Sequence, residues 1–135
     1  MRFIQTVILG IFLSASSAAI AEDLRGPFNN APMETKGMWY LDSREDGVYA
    51  MFSEGFETVK GPNLHVYLSK LAAADANGAQ AEGDLHVTAL KSYKGGQLYK
   101  LPQGVNLADY NSFVIVCDKF HKLWAAGDLR PSQTS

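Results

Sequence analysis

The sequence predicts an all-β chain, folded as a single antiparallel β-sandwich or partly closed barrel after a cleaved N-terminal signal peptide. Apolar and polar residues alternate with period two over residues 64–69 and 85–90, which sends successive side chains to opposite faces of a pleated strand. Turn residues recur at Asp46-Gly47, Gly61-Pro62-Asn63 and Gly95-Gly96, so the apolar stretches of the chain body are cut to strand length. Phe113-Val114-Ile115-Val116-Cys117 is a nearly continuous β-branched run, the pattern of a central strand covered on both faces.

Residues 1–21 read as the signal peptide. Arg2 gives a charged start, an apolar core of about eleven residues follows, and the small-residue ending Ala19-Ile20-Ala21 suits signal peptidase. The core falls short of the roughly twenty residues a spanning helix needs, so cleavage before Glu22 leaves no stable membrane anchor. The expected localisation is secreted or periplasmic.

Residues 22–34 read as an N-terminal loop, residues 35–129 as the β domain and residues 130–135 as a polar tail. Within the domain, aromatic residues make 37–41 the first strand, and Asp46-Gly47 turns the chain into a second strand over 48–52. After Gly61-Pro62-Asn63, the best strand places Leu64, Val66 and Leu68 on one face and His65, Tyr67 and Ser69 on the other. Residues 71–84 are rich in Ala and Gly and read as a surface loop. Residues 85–90 resume the alternation, Gly95-Gly96 is expected to turn a hairpin between Tyr93 and Leu98-Tyr99, and Pro102 limits the strand that follows. Asp118-Lys119 should turn the central run into a last strand over residues 120–125.

Removing the leader leaves 114 residues, enough for one core, and the loss of Arg2 takes the formal net charge from −2 to −3. Such a balance carries no basic footprint of a nucleic-acid binder. Surroundings for a serine hydrolase or a phosphate-cradling loop are missing too, which disfavours both enzyme classes.

Cys117 is the one cysteine, so no intramolecular disulfide can form. Its thiol is packed and inert, bridged to another molecule, bound to a cofactor or kept for redox chemistry, and the opposed charges of Asp118 and Lys119 do not decide among these. Covalent c-type haem is excluded because it needs two cysteines followed by histidine, whereas non-covalent haem held by Cys117 or a histidine needs only one donor. His65, His86 and His121 lack the spacing of a metal pair, and no metal is assigned to them. Asp42, Glu45 and Asp46 read as a solvated turn rather than a calcium loop. Lys91, Lys94 and Lys100 read as solubilising edge residues, and Trp39, Tyr93, Tyr99 and Trp124 as core or rim aromatics.

Three segments together resemble a known family: Gly61-Pro62-Asn63-Leu64-His65-Val66-Tyr67-Leu68-Ser69, Gly95-Gly96-Gln97-Leu98-Tyr99-Lys100-Leu101-Pro102, and Tyr110-Asn111-Ser112-Phe113-Val114-Ile115-Val116-Cys117-Asp118-Lys119-Phe120. In order and spacing they are similar to the DM thirteen domain, also called the electron-transfer DM domain, with coverage from about Thr35 to Leu129. The resemblance implies an extracytoplasmic redox-associated β domain whose family cysteine, matched by Cys117, serves as a thiol or as a ligand to a prosthetic group such as haem. It implies a redox partner protein and an electron-transfer or binding role rather than a stand-alone enzyme. The alternative is a redox-inert binding or structural module in which Cys117 is packed. His121 and Lys122 depart from the apolar ending expected of the last strand.

Overall fold

The computed structural model describes residues 23–79 and 82–130; the expected signal peptide and most of the polar tail lie outside them. Ten strands follow in chain order: β1 Leu24–Pro27, β2 Thr35–Lys36, β3 Met38–Arg44, β4 Gly47–Phe52, β5 Glu57–Thr58, β6 Leu64–Ser69, β7 Leu85–Ala89, β8 Gln97–Lys100, β9 Ser112–Cys117 and β10 Lys122–Asp128. Two single 3-10 turns, Ala73–Asp75 and Leu107–Asp109, are the only helical pieces among the described residues. The all-β expectation holds.

Two four-stranded antiparallel sheets face each other, one in the order β1-β3-β4-β8 and the other in the order β10-β9-β6-β7; β2 and β5 pair separately. Aromatic residues fill the space between them. Trp39 from β3 stacks on Phe113 from β9 with ring centres 6.0 Å apart, and Phe52 from β4 meets Phe113 edge-on at 5.4 Å. Such rings bury large apolar areas and dominate core energetics. One edge of the sandwich is laced by residues 28–33, where Asn30 pairs with Ala126 and the Met33 amide donates to the Trp124 carbonyl. Gly127 makes this edge possible, since a Cβ there would lie 2.4 Å from the Pro27 carbonyl and closer still to the Trp39 indole nitrogen. The sheets do not close into a barrel.

Several local expectations change. Residues 24–27, read as loop, form β1, which pairs with β3 from Leu24 opposite Leu41 to Pro27 opposite Met38. A strand at a sheet edge tolerates the missing proline donor, and that is where β1 lies. Asp46-Gly47 does turn the β3–β4 hairpin, with Arg44 opposite Gly47. Gly95-Gly96 does not turn a hairpin: β8 pairs with β4, while Lys94 bridges to Glu57. Side chains close this bend in place of a ladder, as the Ser92 amide donates to Gln97 Oε1 and Gln97 Nε2 donates to the Ser92 carbonyl. The last strand starts at Lys122 rather than at Phe120, because His121 takes a left-handed φ of 50° within the turn, and it runs on to Asp128.

The central run behaves as expected. Every residue of β9 is buried, with Phe113, Ile115 and Cys117 in the main core and Val114 and Val116 in a smaller cluster with Ala73. The 71–79 segment therefore roofs the outer face of β9, which explains why that face is apolar too.

Candidate functional site

The strand pair β6/β9 carries the candidate residues on two opposite faces. Leu64 of β6 is opposite Cys117 of β9, and His65 is opposite Val116. Strand alternation sends Leu64 and Cys117 inward and His65 and Tyr67 outward.

Inward, Cys117 is free of disulfide and fully buried. Its Sγ–H donates to the Pro62 carbonyl at 2.9 Å, so the Gly61-Pro62-Asn63 turn covers the sulfur. That turn is itself clamped: a Cβ on Gly61 would lie 2.5 Å from the Trp124 ring, Trp124 Nε1 donates to the Val59 carbonyl at 2.7 Å, and Tyr93 Oη donates to the Gly61 carbonyl at 2.8 Å. The Asp118 amide donates to the Asn63 carbonyl, fixing the turn to the end of β9. The thiol is thus satisfied and sealed by one layer of backbone.

A haem needs a slot of several hundred Å³ beside an open axial donor. A groove of about 500 Å³ lies over the outer face of the first sheet, walled by Leu24, Arg25, Tyr40, Asp42 and Met51. A second depression of about 190 Å³ is walled by Glu34, Lys36, Glu57, Thr58 and Val59, and a third, of about 10 Å³, lies beneath the 71–79 segment. None of the three has a cysteine or histidine in its wall. In these three depressions donor and slot do not coincide, so none of them is a haem slot with Cys117 or a histidine as axial donor.

Outward, two of the three histidines meet. His65 Nδ1 and His86 Nε2 are 2.8 Å apart, and the rings are tilted by 42°. His65 Nε2 lies 2.9 Å from Asn63 Oδ1 and 3.8 Å from Asp118 Oδ2. Tyr67 donates its phenol proton to the same carboxylate, with contacts of 3.0 and 3.2 Å. Burial, reinforced by Asp118, pushes the Tyr67 phenol up to about 12. His121 stays apart on the β9–β10 turn. Among the described residues, no three His, Cys, Asp or Glu side chains gather into a complete metal cage.

A bulge makes the histidine pair. Val66 is opposite Thr88 but the next residue, Tyr67, is opposite His86, so Val87 is an extra residue on β7. Without it the partner of Tyr67 would be Val87, and His86 would face the core beside Leu68. Spacing in the sequence cannot reveal such a pair or the contacts that bring Asp118 to His65 and Tyr67, since these join separate segments, whereas Asn63 meets His65 from two residues away.

The other candidates are ordinary. Asp42 accepts from Arg44 Nε at 2.7 Å, and that bond holds its carboxyl below the usual range. Asp46 accepts from Tyr49 Oη at 2.7 Å and lies 3.7 Å from Lys100 Nζ. Lys91 donates to the Leu98 carbonyl. Trp39, Tyr99 and Trp124 are core residues and Tyr93 is half-buried against them.

A family model described as electron transfer DM13 matches residues 27–126, which takes in the last residue of β1, the whole of β2 to β9 and all but the end of β10. No curated protein and no solved structure matches the chain.

Proposed function

Since this chain belongs to the electron transfer DM13 family, we propose that it works as an extracytoplasmic redox domain in which Cys117 is the redox-active group and an exported redox protein is the partner. The observation that carries this is the family match together with one unpaired thiol held behind a single turn of backbone. The balanced step open to a lone thiol is exchange with a disulfide of the partner. The Cys117 sulfur, once deprotonated to solvent, bonds to one partner sulfur; the partner S–S bond breaks and the other sulfur leaves as a thiolate that takes a proton. Cys117 is oxidised and the departing sulfur reduced. No step passes through haem.

Attack requires the Gly61-Pro62-Asn63 turn to lift. Local openings of this kind occur at free energies below that of global unfolding. Native-state maleimide labelling of Cys117 tests the point: the opening free energy obtained from the labelling rate should be smaller than the unfolding free energy from denaturant. Equality of the two would remove the redox role. Cys117→Ala should fold, lose about 1–2 kcal/mol of stability and lose exchange with a disulfide partner. For the location, the intact mass of exported protein should correspond to a chain starting at Glu22.

The burial itself favours a second role, that of a packed thiol pinning the turn to the end of β9. Under that role Cys117→Ala retains all redox behaviour of the wild type and changes stability alone.

A further inference from the structure

We propose that His65 and His86 form a surface site for a divalent transition-metal ion, of which Cu(II) is the best match. The site stands apart from the proposed role of Cys117, which faces the opposite side of the same sheet.

The spacing is the first argument. Two imidazole nitrogens bound at about 2.0–2.1 Å to one ion lie about 2.8–3.0 Å apart when they occupy adjacent corners of a square, and about 3.3–3.4 Å apart on a tetrahedron. The 2.8 Å between His65 Nδ1 and His86 Nε2 is a hydrogen-bond length that equals the square edge, so turning each ring until both lone pairs meet at one outside point makes a chelate without moving the nitrogens apart. Tetragonal sites of nitrogen and oxygen donors suit Cu(II) and Ni(II), and Cu(II) stands highest in the affinity order.

Proton placement is the second. His65 Nε2 faces the Asn63 side-chain oxygen and the Asp118 carboxylate, so it carries the ring proton and donates it outward. Nδ1 is left with its lone pair directed at His86. A metal-binding histidine is oriented in this way, its far N–H held by an oxygen that fixes tautomer and ring angle. In the metal-free pair His86 Nε2–H donates to that lone pair. When an ion enters, the His86 proton resides on Nδ1 instead and Nε2 becomes the second donor, so neither ring changes charge.

Placement is the third. The β7 bulge brings His86 beside Tyr67 on the outward face, its ring 5.1 Å from the Tyr67 ring, and His86 is exposed. Water therefore completes the coordination, and the Asp118 carboxylate adds negative charge beyond His65 without joining the ion. A site of two protein donors and water binds more weakly than a closed cage.

Cu(II) titration of the leader-free protein against glycine as competing chelator, followed by electron paramagnetic resonance, tests the site. One tetragonal Cu(II) per chain with coupling to two imidazole nitrogens is expected. His65→Ala and His86→Ala should each lower the affinity at least tenfold, Asn63→Gly should lower it less, and His121→Ala and Cys117→Ala should leave it unchanged. Far-ultraviolet dichroism establishes that each variant is folded; both histidines lie outside the core. Absence of stoichiometric binding, binding that survives loss of both His65 and His86, or tighter binding of Zn(II) than of Cu(II) would each overturn the proposal.

Discussion

On β6 the inward residues Leu64, Val66 and Leu68 join a sealed aromatic core, whereas the outward residues His65 and Tyr67 lie in a polar, hydrogen-bonded cluster with His86 and Asp118. One candidate group of each kind flanks this strand: inside, the β9 thiol opposite Leu64 that chemistry can reach only after a turn moves; outside, the imidazole pair of His65 and the β7 residue His86. Period-two alternation separates the two environments over a single residue step. Changes on the inner face should therefore register mainly as stability, and changes on the outer face mainly as ligand and proton chemistry.

The largest effect that sharpens this contrast is Trp39→Ala. Trp39 is fully buried, stacks on Phe113 and donates its indole N–H to the Pro27 carbonyl at 2.9 Å. Truncation should cost about 3–5 kcal/mol, measured by denaturant unfolding. Next comes Asn63, at the junction of the two faces, whose φ of 58° is left-handed. Asn63→Ala should cost about 1–2 kcal/mol for a backbone that alanine disfavours. Asn63→Gly should relieve that cost while still losing the oxygen that holds His65. His86→Ala, on the exposed face, should change stability by no more than about 0.5 kcal/mol. A loss from His86→Ala as large as that from Trp39→Ala would break the division between the faces.

The inner face was the more legible of the two. Hydrophobic alternation and the β-branched run place Leu64, Val66, Leu68, Phe113 and Ile115 in the core, and burial of Cys117 with Phe113 and Ile115 follows from strand parity. Parity fails where a residue is inserted: at Val87 the bulge shifts β7, and unbroken alternation gives no sign of it. Gly95-Gly96 misled for a related reason. Gly-Gly favours a hairpin only when both flanks belong to one sheet, and here the chain passes from β7 in one sheet to β8 in the other. β1 escaped notice because Gly26 and Pro27 read as loop residues, while its pairing with β3 is decided by the Trp39 surface on which it lies. The polar cluster is built from residues on three segments, and only the folded register joins them.

The smallest expected signal comes from two tyrosines that differ in how their phenols are held. Tyr99 belongs to the inner core, and burial raises it to about 12, opposed by the bond it accepts from the Lys91 amide. Tyr67 on the outer face is also raised to about 12, by burial and by donation to Asp118. Each phenol is held in its protonated form more firmly in the folded chain than in the unfolded one, where tyrosine titrates near about 10. The stabilisation is therefore complete below pH about 10 and is lost as the pH rises from there through about 12. Phenolate absorbance should show both tyrosines ionising late. Asp118→Asn removes the carboxylate charge but not the burial, so it should bring Tyr67 ionisation to lower pH and leave Tyr99 in place, with Tyr67→Phe identifying the step that moved. Equal shifts of both phenols would mean that Asp118 acts through general loosening of the sandwich, and the two faces of the sheet would not be independent.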